Sequence, residues 1–282
     1  MEKPVKIPLE NDLLCGILHT ADGARDTGVL ILPGGPQTRV GSHRQFVLLA
    51  RSLAKKGVPV LRFDYRGMGD STGVMRNFEE VDDDIDAAIK LFFDETPNIK
   101  NVVILGLCDA ASAALMYAPG AKNVSGMILL NPWIRSAAGE AKARLKYYYF
   151  QRLLNIHFWR KVIGGRFEAG TSMSYFFGAI KEIIGSNARD SEPLTSGAET
   201  FPKRMYDGLA GFDNPVLVIM SGSDLTGREF RDYVASSKMW SKLFEREGLT
   251  QRNLEQADHT FSKREWRDQV EEWVSEWLLN LE

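Results

Sequence analysis

At 282 residues, 44% apolar and 26% charged, with a formal net charge of -2, the chain has ample material for a large core and no overall surface for a polyanion such as nucleic acid. Two cysteines, Cys15 and Cys108, are too few for a disulfide framework and lack paired metal-ligand spacing. No stretch approaches the roughly 18 apolar residues of a transmembrane segment, and residues 1–11 carry no signal-like apolar run, so a cytoplasmic location is expected.

Residues 5–19 read as one or two early strands turned at Glu10-Asn11-Asp12 and pairing at the sheet edge, with Cys15 in their core. Val29-Leu30-Ile31-Leu32 is a continuous aliphatic run stopped by Pro33-Gly34-Gly35-Pro36, the pattern of a buried parallel strand entering a tight loop. Ser42 can cap a helix over 43–56, whose apolar positions Phe46, Leu49, Ala50 and Leu53 recur at helical spacing, and Gly57 stops it. A strand over 58–63 runs into the glycine-dense segment Asp64-Tyr65-Arg66-Gly67-Met68-Gly69-Asp70-Ser71, and an acidic helix follows over 79–93.

The next strand, Val102-Val103-Ile104-Leu105, ends at Gly106-Leu107-Cys108-Asp109-Ala110. This is close to G-x-S-x-G, in which a strained strand-to-helix turn exposes a nucleophile. Cys108 replaces the serine and Ala110 the last glycine; the alternative for Cys108 is a small buried residue at a strand end. A further strand over 126–130 ends at Asn131-Pro132-Trp133, and the strand–helix alternation from Val29 onward argues for a parallel sheet with helices on both faces.

The rhythm then breaks until Pro215-Val216-Leu217-Val218-Ile219-Met220. The interval 134–213 reads as an inserted helical cap between core segments 1–133 and 214–282. Over 135–167 it is basic and interleaved with aromatics, with Glu140 as its one acid. That composition fits either a solvated face beside a packing face or a lid for an acidic partner or an anionic, partly apolar substrate. Past Met220 come Ser221-Gly222-Ser223-Asp224, a helix through about residue 247, a short strand over 253–256, the segment Ala257-Asp258-His259-Thr260-Phe261, and a terminal helix over 264–281 with an apolar stripe.

Cys108, Asp224 and His259 each stand just beyond a predicted strand, in the order nucleophile, acid, histidine. Asp64-Tyr65-Arg66-Gly67-Met68-Gly69-Asp70-Ser71 is similar to the D-x-R-G-x-G-x-S segment of the α/β-hydrolase superfamily, which the chain resembles outside the cap. Residues 35–46 and 257–262 more narrowly resemble the exosortase A system-associated hydrolases, bacterial proteins tied to export and exopolysaccharide systems. The resemblance implies an α/β-hydrolase fold, a mostly parallel central sheet flanked by helices, with a helical cap.

On this reading His259 is the base for Cys108, because a free thiol with pKa about 8.5 is mostly protonated at neutral pH. Asp224 orients His259; the competing acid, Asp258, adjoins the histidine and points away from the needed nitrogen. Oxyanion donors are expected from the backbone N–H groups of Asp109 and, by match to the superfamily's H-G-x loop, Gly35. The acidity of Asp109 is unexplained, since a carboxylate beside a thiolate disfavours it. Arg39, His43 and Trp133 are candidate substrate-binding residues.

The chemistry expected is hydrolysis of an ester or thioester through an acyl-cysteine, with acyl transfer as a variant and a non-catalytic binding protein as the opposing class. A small-molecule acyl substrate is expected, carried in one version on acyl carrier protein or coenzyme A. No metal or nucleotide motif is present: Gly67-Met68-Gly69 is not followed by the Lys-Ser or Lys-Thr of a phosphate loop.

Overall fold

Val29, Leu30, Ile31 and Leu32 are all fully buried, and their side chains divide between two cores. Leu30 and Leu32 join one, Val29 and Ile31 the other. A strand covered on both faces has no solvent side, which is why the run is continuously aliphatic rather than alternating. The computed structural model of the protein describes residues 1–21, 23, 25–35, 37–134 and 200–281.

The described residues form one eight-stranded sheet in the order β1-β2-β4-β3-β5-β6-β7-β8. Its strands are β1 (Glu2–Leu9), β2 (Asp12–His19), β3 (Thr27–Leu32), β4 (Val60–Phe63), β5 (Asn101–Leu107), β6 (Val124–Leu130), β7 (Val216–Ser221) and β8 (Leu249–Leu254). From β4 to β8 every neighbouring pair is parallel, and β1 and β2 form an antiparallel hairpin docked on β4. One face carries α2 (Asp82–Glu95) and α3 (Asp109–Tyr117), packed on Leu30, Ile104 and Leu129; the other carries α1 (Gln45–Lys55) and α7 (Arg264–Leu279), packed on Ile31, Leu105 and Ile128. This is the α/β-hydrolase fold expected from the sequence.

Several boundaries move, each for a local reason. Gly41 rather than Ser42 precedes the first helical turn, His43 and Arg44 have positive φ, and no side chain caps α1, which therefore starts at Gln45. The long helix expected after Asp224 is two, α5 (Leu225–Ser236) and α6 (Lys238–Phe244), because Ser237 is extended and its hydroxyl accepts the Trp240 N–H. The last strand lies at 249–254 rather than 253–256. As the edge strand it exposes Gln251, Arg252 and Asn253, so its apolar signal is weak.

The insertion expected over 134–213 falls mostly on 135–199, outside the described residues. Its two ends belong to the core unit: Ile134 is buried, and α4 (Phe201–Ala210) packs on α3, where a Cβ at Gly208 would lie 1.8 Å from the Leu115 carbonyl oxygen. Among the described residues no helix is long and apolar enough to cross a membrane.

Candidate active site

Between β5 and α3, Cys108 has φ 63° and ψ −125°, a conformation that residues other than glycine adopt only when the surroundings impose it. The Cys108 N–H donates to the Leu130 carbonyl at 2.9 Å, and its own carbonyl accepts from Ala111 at 3.1 Å and Trp133 at 3.2 Å. Gly106 allows the helix to start against the strand, since a Cβ there would lie 2.5 Å from the Ala110 carbonyl oxygen. The result is a half-exposed thiol at the carboxyl edge of the parallel strands.

Asp224 follows β7 and is the N-cap of α5. Its Oδ1 accepts the Thr226 N–H at 3.1 Å, its Oδ2 the Gly227 N–H at 2.8 Å, and that same Oδ2 lies 2.8 Å from His259 Nδ1. Burial works to raise its pKa, but the His259 hydrogen bond and the two N–H groups outweigh it and hold the carboxyl below the ordinary aspartate value. The Asp224 bond first and the neighbouring Cys108 second, against desolvation, bring the imidazole pKa up to about 10. The fold thus pairs Asp224 with His259, 35 positions later, and brings them to Cys108, more than a hundred positions earlier in the sequence.

The loop carrying His259 is held by residues that sequence reasoning missed. Asn131, fully buried at the end of β6 with φ 43°, donates to the His259 carbonyl at 2.9 Å and to Ser221 Oγ at 2.8 Å, and accepts the Ser221 N–H at 2.7 Å. Ser221 Oγ in turn donates to the Asp258 carbonyl at 2.8 Å. An asparagine just past a strand, before Pro132, is the available signal, since Asn tolerates a left-handed backbone. Asp258 serves the loop itself, accepting the Thr260 and Ser262 N–H groups at 3.2 and 3.0 Å.

Asp109 and Gly35 meet in an unexpected way. The Gly35 N–H, expected to face a substrate oxygen, donates to Asp109 Oδ1 at 2.6 Å. Burial raises the Asp109 pKa above the usual value, although the N–H groups of Gly35, Ala110 and Asp109 itself favour its charged form. Arg39, a candidate binding residue, is taken up by scaffold: its guanidinium pairs with Asp64 and Asp70, and its N–H donates to Asp64 Oδ1 at 2.6 Å. His43 is exposed on the turn before α1. Trp133 lies beside the elbow, stacked on Phe201 at 5.4 Å and edge-on to Phe78 at 5.4 Å.

Among the described residues no cluster of His, Cys, Asp or Glu is arranged to hold a metal ion. A cleft at the sheet edge, lined by Met220, Phe230, Phe244 and Arg252, contains none of Cys108, Asp224 and His259.

The pattern of the alpha/beta hydrolase family matches residues 29–272. The chain belongs to that family. Among solved structures this α/β-hydrolase is similar to an esterase of Pyrococcus furiosus, at 18% identity and a TM-score of 0.67 over 100% of this chain and 91% of that one. It is also similar to a dienelactone hydrolase of Anabaena variabilis, at 16% identity and a TM-score of 0.61 over 99% and 97%. A third is an alpha-beta serine hydrolase homologue of Coxiella burnetii, at 14% and 0.58 over 97% and 96%. Identities this low establish a shared fold. No curated protein sequence matches the chain.

Proposed function

We propose that the protein hydrolyses an ester or thioester through a covalent acyl group on Cys108, with His259 as base and acid and Asp224 as its orienting partner. The observation that carries this reading is that His259 Nδ1 lies 2.8 Å from Asp224 Oδ2 while its ring is close enough to Cys108 for that residue to raise the imidazole pKa. The sulfur attacks the acyl carbon, its proton residing on His259. The tetrahedral intermediate collapses as the leaving alkoxide or thiolate takes that proton, and the acyl group remains on sulfur. Water then attacks the thioester, giving its proton to His259, which returns it to the departing sulfur; the products are a carboxylic acid and the free enzyme. An alcohol, amine or thiol in place of water makes the same intermediate an acyl donor, so transfer differs from hydrolysis only in the acceptor.

The esterase named among the structural neighbours is consistent with this class. Residues 135–167, basic and aromatic in sequence, suit by charge an acyl group on acyl carrier protein or coenzyme A. The narrower resemblance to exosortase A system-associated hydrolases rests on residues 35–46 and 257–262 and names no substrate. Intact-mass spectrometry tests the reading: p-nitrophenyl esters and acyl thioesters are each incubated briefly with wild type, Cys108→Ala and His259→Ala. The wild type is expected to gain one acyl mass that decays in water, with no gain in Cys108→Ala and little in His259→Ala. Equal labelling of wild type and His259→Ala, or none in either, would favour a binding protein on the same fold.

A further inference from the structure

The oxyanion hole of an acyl-transfer site is a set of backbone N–H groups held open for a negative oxygen that exists only during reaction. Here one of the two donors nominated for it, the Gly35 N–H, already meets the side chain of the residue that carries the other, Asp109. Asp109 Oδ1 accepts the Gly35 N–H at 2.6 Å. Burial raises the pKa of that carboxyl, against the N–H groups of Gly35, Ala110 and Asp109 itself, which favour its charged form.

The glycine loop is built around it. A Cβ on Gly34 would lie 2.1 Å from the Leu107 carbonyl oxygen and 2.8 Å from Asp109 Oδ1, so only glycine lets the loop fold down onto the carboxylate. Pro33 and Gly34 are buried while Gly35 is exposed.

We propose that the Asp109 side chain is an internal plug of the oxyanion hole, so that a substrate carbonyl oxygen takes its place on Gly35 only after the carboxylate swings out. This rests on the acyl-cysteine reading above and assigns the residue a task that the reading leaves open. The site is then restrained in its resting state: the sulfur and His259 are assembled, while stabilisation of the tetrahedral intermediate is withheld until a substrate displaces Asp109.

Two reactions of Cys108 separate the parts. Alkylation by iodoacetamide displaces iodide from a methylene carbon and forms no oxyanion, so it reports the sulfur and His259. Acylation by p-nitrophenyl acetate requires the hole. The rate of each is measured by intact mass on wild type, Asp109→Ala, Asp109→Asn and His259→Ala, with the Gly35 amide proton followed by NMR.

The ratio of acylation to alkylation is expected to rise about 100- to 1,000-fold in Asp109→Ala, the scale of one oxyanion donor. A smaller rise is expected in Asp109→Asn, whose neutral carbonyl still fits the site. The Gly35 amide proton should move upfield in both as the charged acceptor is lost. A ratio that is unchanged or lower in both variants overturns the plug, as does a Gly35 amide that does not shift. Alkylation independent of His259 would instead overturn the acyl-cysteine reading, and the plug's role with it.

Discussion

Asp224 serves two structures through one carboxylate, and the two can be separated. Asparagine caps helices about as well as aspartate, but brings no charge to His259 Nδ1, which Asp224 Oδ2 meets at 2.8 Å. Asp224→Asn is therefore expected to cut acyl-enzyme formation at least about 100-fold, because the imidazole loses its orienting anion, while Asp224→Ala should be less stable than Asp224→Asn by a further ~1 kcal/mol from the lost cap. Stopped-flow acylation and urea unfolding of both variants would show this; equal stability would mean that the cap contributes nothing.

The pH dependence has a definite sign. His259 is raised from 6.5 to about 10, so its stabilisation is complete below the unfolded value and is lost as pH rises through about 10. Asp224 is lowered, so its share is present above 3.8 and is lost as pH falls through its depressed value. The melting-temperature gap between wild type and His259→Gln should accordingly be wide at pH 6 and shrink by pH 10.5. A gap that grows with pH would contradict the assignment.

Among elements, the turn from β5 to α3 and the end of β6 set the geometry of the site. The 2.5 Å approach that a Cβ on Gly106 would make to backbone means that α3 has to move for any larger residue to fit. Gly106→Ala is expected to cost about 1–3 kcal/mol by overpacking, read as a lower urea midpoint, and to reduce Cys108 acylation as the elbow relaxes. Asn131 ties β6 to β7 and to the His259 loop through three hydrogen bonds. Asn131→Ala leaves the Ser221 N–H and the His259 carbonyl unpaired, at about 1–3 kcal/mol for each group left buried. Hydrogen exchange over residues 257–262 should accelerate in this variant while that of β3 stays slow; unchanged exchange in the loop would mean that it is held by other contacts.

For the whole molecule, the glycine-dense motif after β4 is scaffold that joins the antiparallel hairpin to the parallel sheet. The Ser71 hydroxyl accepts the Cys15 N–H at 2.9 Å and donates to the Asp64 carbonyl at 2.7 Å. Arg66, 3% exposed, pairs at 2.5 Å with the fully buried Asp84 of α2. Removing one member of a buried pair strands the other, which costs about 3–5 kcal/mol. Arg66→Met should lower global stability by that amount, whereas the double variant Arg66→Met with Asp84→Leu should recover most of it. A single variant as stable as wild type would show that water reaches Asp84.

The parallel core was legible in the sequence because residues such as Val29 to Leu32 are buried on both faces, and a strand without a solvent side can only be written in apolar residues. The order of Cys108, Asp224 and His259 was legible for a related reason: each follows a strand, and parallel strands deliver their carboxyl ends to one edge. The edge strand β8 was misplaced because one side of it is wet and polar. The charge of Arg39 is visible in the sequence, whereas its pairing with Asp64 and Asp70 is not. Tertiary structure alone decided the use of Asn131, whose partners come from β7 and the His259 loop. It alone also seated the Asp109 carboxylate on the Gly35 N–H, a contact between residues 74 positions apart. Periodicity records whether a residue faces the core or water, but a hydrogen bond between distant loops leaves no periodic trace.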